Sequence, residues 1–208
     1  MGKATDIRTA GAALYFLPVQ TRVPLKFGNE TLTHVTCARA RVTVADSTGR
    51  TAEGWGETPL SVQWVWPSGT PYEERHEALI QFSVELVELW ASVTMPGHPI
   101  ELGQSFQETV LTGVLSGFNR RQRHGREPMP WLAALVCCSP FDIAMHDAYG
   151  KLHDRPIYET YNGQFMNRDL ASFLQPAPDA NVSFNGKFPA DFFAPKPDSP
   201  HKRFFWLT

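Results

Sequence analysis

Between Thr33 and Glu57 the chain reads THVTCARARVTVADSTGRTAEGWGE, and no other stretch constrains the fold as tightly. Ala38, Ala40, Val42 and Val44 fall on one face of an extended chain, while Arg39, Arg41 and Thr43 fall on the other. Strict alternation of this kind belongs to a strand with one buried face. ADSTGR then supplies a turn: Asp46 and Ser47 can bond back to the backbone, and Gly49 is free to take a positive φ. The returning arm ends in GWGE, where Gly54 and Gly56 flank Trp55. Glycine weakens a strand, so two of them mark either a bulge or a close backbone approach.

The rest of the chain sorts into strands first and helices second. GAALYFLPV reads as a short strand stopped by Pro18. From Thr70 the sequence carries a helix start, with Thr70 as N-cap, Pro71 at the first helical position and Glu73 completing a capping box. Leu79, Phe82, Leu86 and Leu89 give it a buried stripe, and Pro96-Gly97 ends it. A second helix is expected from about Leu102 to Arg121, with Phe106, Val110, Val114 and Phe118 in step. A third begins at PWLAALVCC, where Pro140 predicts a kink or a restart capped by Ser139. Three antiparallel strands followed by a helical bundle make an α+β domain. After Gly163 the texture changes: DLASFL reads as one strand, and the proline-rich stretch beyond Gln175 reads as poorly ordered.

Composition excludes several classes of partner. A formal net charge of −2 leaves no electrostatic footprint for nucleic acid or anionic lipid. The run NRRQRHGR, Asn119 to Arg126, reads as a solvated helix end and loop. No apolar run approaches the ~20 residues of a membrane span, and no secretory signal opens the chain. Three cysteines, two of them adjacent at Cys137 and Cys138, build neither a disulfide framework nor a C-x-x-C metal site. The expected compartment is the cytoplasm.

The motifs, taken in order, resemble a known family. GWGE at 54–57, the three helices, and FDIAMHDAYGKLHDRPIYETYNG at 141–163 are similar to the N-terminal capping domain of the enolase superfamily, in its mandelate racemase and muconate lactonizing branch. Asp142, Ala144, Asp147, Gly150 and Lys151 stand where that family has D-x-A-x-x-D-x-x-G-K. The resemblance implies a capping domain over 1–162 and, from 163 to 208, the first strand of a (β/α) barrel with a Pro/Phe-rich tail. A barrel takes ~250 residues, so the stretch after Asn162 is expected to hold only its beginning.

In such a family the barrel carries the chemistry, abstracting the α-proton of a carboxylate substrate while Mg2+ stabilises the enediolate. The resemblance therefore implies Mg2+ and a small-molecule carboxylate for a complete enzyme, and no catalytic residue or metal ligand in this chain. It places two substrate-facing loops here: one from about Phe16 to Phe27, including Arg22, and one from Thr58 and Pro59 to Pro67. Trp64 and Trp66 in the second loop either close over a substrate or cover the domain's own helices, and a split of one inward and one outward is expected.

A search for other chemistry finds Asp142, His146 and His153 at helical spacing and the remaining histidines scattered singly. Ser139 lacks a nucleophile-elbow context, and no glycine-rich phosphate loop is present. Two function classes stay open: the cap of a Mg2+-dependent enzyme, or a stand-alone binding or interaction module derived from one. A cap without its barrel is expected to expose Ile143, Met145, Tyr149, Leu152, Ile157, Tyr158 and Leu170, and so to self-associate or to fold its phenylalanine-rich tail back over them.

Overall fold

The computed structural model describes residues 2–27 and 30–194. Three strands, β1 (Ile7–Phe27), β2 (Glu30–Asp46) and β3 (Thr51–Pro59), form one antiparallel sheet in the order β1-β2-β3. The α+β meander expected from the alternation is present, and Ala38, Ala40, Val42 and Val44 are fully buried on its inner face. Outside, Arg39 pairs with Glu57 at 2.6 Å and Arg41 with Glu53 at 3.3 Å. At the β2–β3 turn, Asp46 Oδ1 accepts the backbone N–H groups of Thr48 and Arg50, and Gly49 takes a φ of +86°.

β1 does not stop at Pro18. It continues to Phe27, with Pro18 opposite Thr36. As an edge strand, β1 needs no ladder donor on its open side, so proline fits there. The expected loop from Phe16 to Phe27 is thus strand, broken by one irregularity: Gln20 pairs with His34 and Leu25 with Leu32, leaving residues 21–24 opposite Thr33 alone.

Among the described residues five α-helices follow: α1 (Val62–Val65), α2 (Tyr72–Ala91), α3 (Pro99–Phe106), α4 (Thr112–Gln122) and α5 (Trp131–Leu152). Helix α2 starts after Pro71, without a side-chain cap. Thr70, expected to cap it, instead donates to Glu127 at 2.7 Å. The second expected helix is α3 and α4 joined by a π-helical turn, Gln107–Leu111. The wider turn advances the buried stripe by one residue, so Leu111 rather than Val110 joins Phe106 and Phe118 in the core.

Helix α5 runs through Pro140 without a restart. Proline cannot donate to the carbonyl four residues back. Ser139 Oγ fills that place, bonding Val136 O at 2.9 Å, and sits 2.7 Å from Thr58 Oγ1 on β3. The serine read as a helix cap is a patch over a missing backbone bond.

Close packing of α5 on β3 explains the two glycines of GWGE. The ladder is regular there, with Val42 opposite Gly54 and Ala40 opposite Gly56. A Cβ on Gly54 would lie 2.1 Å from Ala144 O and 2.2 Å from Ala148 N, and one on Gly56 would lie 2.1 Å from Pro140 O. Of the two sequence-level options, bulge or close approach, it is close approach.

DLASFL is not a strand. Leu170–Ser172 forms a 3-10 turn whose Leu170 N–H bonds Lys187 O at 2.8 Å. No strand partner flanks it among the described residues, and the N–H groups of Ser172 and Phe173 bond back to the Asp169 and Leu170 carbonyls. The tail, expected to be poorly ordered beyond Gln175, folds back over 184–193. Ala190 N–H bonds Tyr161 O at 3.0 Å, Phe188 lies against Gly163, and the Phe193 ring meets those of Tyr158 and Tyr161. Of the groups expected to be bare, Met145 and Tyr149 are fully buried in the domain's own core. Ile143 and Tyr158 remain 46% and 67% exposed. The last residues, including His201, lie outside the described set.

Candidate functional site

The motif that carries the family resemblance is accounted for by packing. Asp142 lies against α3, where a Cβ on Gly103 would meet its Oδ1 at 2.3 Å. Ala144 and Ala148 leave room for the backbone of β3. Asp147 Oδ2 accepts the Trp55 N–H at 2.8 Å and Lys151 Nζ at 2.7 Å, closing the edge of β3. Gly150 admits the Arg155 carbonyl, which a Cβ would meet at 2.8 Å. These residues build the domain.

The groups that looked like metal ligands are otherwise engaged. His146 Nδ1 is bonded to Asp142 O at 2.8 Å and stands 3.8 Å from its carboxylate, while His153 Nε2 is bonded to Thr5 O. Among the described residues no three His, Cys, Asp or Glu side chains stand together as a cation site. Burial pushes the thiols of Cys137 and Cys138 up to about 12, far from the thiolate that nucleophilic chemistry needs.

The structure gathers most of the candidate loop residues at one end of the sheet, but not as the sequence suggested. Phe16 lies in β1 opposite Ala38, on the inner face and packed against the core. Arg22 sits exposed in the irregular stretch 21–24. Phe27 ends β1 opposite Glu30, and its side chain is outside the described set. Thr58 and Pro59 are the last residues of β3, paired with Ala38 and Cys37, rather than loop.

Trp64 lies in α1 and Trp66 just past its end. Trp66 is buried: its Nε1 donates to Glu127 at 3.2 Å, its carbonyl accepts from Arg75 at 2.5 Å, and the Arg123 guanidinium lies 5.1 Å above its ring. Hydrogen bonds from Ser68, Thr70 and Trp66 hold the Glu127 carboxyl below its ordinary range. Arg123, from the run expected to be solvated, is itself buried and paired with Glu74 at 2.5 Å. Trp64, two residues before Trp66, is 56% exposed. One tryptophan anchors the loop, and the other is presented by it.

Beside α1 opens a depression of about 320 Å³ lined by Thr31, Leu32, Thr33, His34, Gln63 and Tyr72. His34 Nδ1 lies 2.8 Å from Thr33 Oγ1, and Tyr72 stacks on His76 at 5.6 Å. Gln63 Oε1 is shielded from solvent and has no hydrogen-bond partner among the described groups. Sequence reasoning left His34 among the singly scattered histidines and passed over Gln63 and Tyr72. A signal for the first existed: the alternation of β2 continues from Ala38 back through Thr36, His34 and Leu32, which places them on the helix-facing side. For Gln63 there was none, because the four-residue α1 leaves no period to read, and Tyr72 opens α2 before its stripe of Leu79, Phe82 and Leu86 begins.

No family model matches the sequence, and no curated protein does. Solved structures of the enolase superfamily are similar to it. A dipeptide epimerase from Enterococcus faecalis V583, complexed with Mg and L-Leu-L-Tyr, matches 75% of this chain and 35% of its own at 10% identity and a TM-score of 0.42. A mandelate racemase/muconate lactonizing protein from Herpetosiphon aurantiacus matches 78% and 36% at 13% identity and a TM-score of 0.35. L-talarate/galactarate dehydratase from Salmonella typhimurium LT2 matches 74% and 33% at 14% identity and a TM-score of 0.38. The chain spans about a third of the length of these structures. Likeness at this distance identifies neither a substrate nor a reaction.

Proposed function

We propose that this chain is the N-terminal capping domain of a mandelate racemase/muconate lactonizing-type enzyme of the enolase superfamily, with the domain proper at 1–162 and the start of a barrel after it. The end carrying Trp64, the irregular 21–24 stretch and the depression beside α1 closes over the barrel mouth and a carboxylate substrate. The observation that carries this reading is the contrast between exposed Trp64 in α1 and buried Trp66 just past its end. A loop whose anchor, Trp66, is fully committed to the core has no folding reason to hold a second indole out to solvent. Burying it on a partner surface would remove a large apolar group from water.

The cap's part in catalysis is to exclude water. A proton removed beside a carboxylate leaves concentrated negative charge, which fixed charges stabilise better in a dry site. Trp64 supplies stiff apolar cover, while Gln63 and His34 offer polar groups near the rim. Mg2+ and the base are assigned to the barrel, as the resemblance to the family implies.

Sequencing the transcript past the codon for Thr208, in all frames, tests this reading. The expected result is a continuing barrel with a K-x-K base and acidic residues at successive strand ends. A transcript without any such sequence would leave the stand-alone binding module as the function.

A further inference from the structure

The sheet's helix-free face carries an ordered pattern that the capping role does not use. Two of its rows read Ala13–Arg41–Trp55 and Tyr15–Arg39–Glu57 across β1, β2 and β3. With Glu53 added, the middle strand presents a basic column and the edge strand an acidic column with Trp55 at its centre. Tyr15 and Trp55 are 45% and 43% exposed, and their rings meet at 5.8 Å over the middle strand. Solvated sheet faces are ordinarily polar, whereas Tyr, Trp and Arg are the residue types enriched at interfaces.

We propose that this face binds a second copy of the same chain, about a twofold axis parallel to the strands and lying between β2 and β3. Such a rotation carries each β2 over the other copy's β3. Arg39 then faces Glu57 of the second copy, and Arg41 lies over its Trp55, where a guanidinium–indole contact forms. Tyr15, one strand further out, lands about 4.8 Å beyond the other copy's β3. A depression of about 410 Å³ lined by Trp55, Gly56, Glu57, Ile143 and Arg39 opens at that edge, so each tyrosine has a place to enter.

The charge pattern selects the occupant. A polyanion or an anionic membrane would be repelled by the acidic column, and a polycation by the basic one. A partner must carry both columns one strand apart, as this chain does. Edge-to-edge pairing through β3 is disfavoured, because Asp147 already holds the Trp55 N–H and Lys151 stands beside it.

Size sets the strength. Each outward residue covers about 6.8 by 4.8 Å of sheet, so a dozen or so positions give roughly 400 Å² per copy. Two copies bury about 800 Å², the scale of a weak, concentration-dependent complex.

Sedimentation velocity on the full chain from about 1 to about 200 µM, the range where weak complexes titrate, tests the proposal. Dimerisation that weakens with salt is expected, and at least tenfold weaker association for Tyr15→Ser. A double variant, Arg39→Glu with Glu57→Arg, keeps the pair within each chain and should dimerise with itself. Mixed with the wild-type chain it should not form hybrids, because like charges would then face each other. Circular dichroism of each variant confirms that the fold is retained. A wild-type chain that stays monomeric throughout would overturn the proposal. So would association indifferent to Tyr15→Ser, or hybrids forming as readily as like pairs.

Discussion

Replacing Gly54 by alanine is expected to cost about 3 kcal/mol or more of folding stability. The opposite sign would follow from strand propensity alone. Alanine is favoured over glycine in a strand by about 0.5–1 kcal/mol, through the entropy of the unfolded chain. Packing decides against it. The new Cβ would stand 2.1 and 2.2 Å from backbone atoms of Ala144 and Ala148, and backbone has no rotamer into which to retreat. Helix α5 would have to lift from β3, loosening contacts of fully buried Phe141, Ala144 and Ala148. Gly56→Ala should behave alike against the Pro140 carbonyl. Urea unfolding of the two variants measures this, and a neutral or stabilised Gly54→Ala would show that the sheet–helix packing is misdescribed.

Acid should unfold the domain earlier than its carboxylates alone would require. His98, between Gly97 and α3, has no exposed surface. Its Nδ1 accepts the Ile100 N–H at 3.3 Å, which leaves the proton on Nε2, 3.2 Å from Thr160 Oγ1. That hydroxyl donates onward to Ile157 O at 2.6 Å. A second proton would break the Nδ1 bond and place a charge among Tyr149 and Tyr161. Burial, helped by the charges of His146, His153 and Lys3, pushes the imidazole down to about 3.

The sign follows from linkage. Below a pH of about 6.5, the ordinary histidine value, the unfolded chain takes up a proton that the folded chain refuses. Stability attributable to His98 is therefore intact above 6.5. It falls by about 1.4 kcal/mol per pH unit on the way down to about 3. Summed over that window, the effect is on the order of 5 kcal/mol, the low end of the stability of a whole domain. His76 and His153 are lowered by burial too and add in the same direction. His98→Gln, which can keep an acceptor toward Ile100, should flatten the acid limb of a urea-midpoint profile between pH 6.5 and 4. An unchanged limb would place the acid sensitivity elsewhere.

What was legible in the sequence was periodic. Twenty-odd residues of alternation fixed β2, its turn and β3, and the 3–4 spacing of Leu79, Phe82 and Leu86 fixed the buried face of α2. The misreadings came where a local rule met a tertiary one. Pro18 signals a strand end, yet an edge strand has an open side that asks nothing of its N–H. Pro140 signals a helix break, but the Ser139 hydroxyl replaces the missing donor. Thr70 and Glu73 have the spacing of a cap, while Glu127, far away in sequence, takes the threonine instead.

DLASFL has strand composition but no partner strand among the described residues, and composition cannot supply one. The candidate site was half legible. The two tryptophans announced it, and their opposite fates were expected, but which one turned inward depended on Glu127, Arg75 and Arg123. Those three lie nine or more residues from Trp66 and share no period with it.

The central claim, a cap whose Trp64 end closes over a catalytic barrel, is tested most directly by supplying the barrel. Residues 1–162 would be joined to the barrel of a mandelate racemase-type enzyme in place of its own cap, and exchange of the substrate α-proton followed by NMR in deuterated water. The chimera is predicted to exchange the proton, while the 208-residue chain and the uncapped barrel do not. Trp64→Ala should raise KM or slow exchange with stability changed by less than about 0.5 kcal/mol. Trp66→Ala should instead cost about 3–5 kcal/mol of folding. A folded chimera that exchanges no faster than the uncapped barrel, or that is indifferent to Trp64→Ala, would contradict the account.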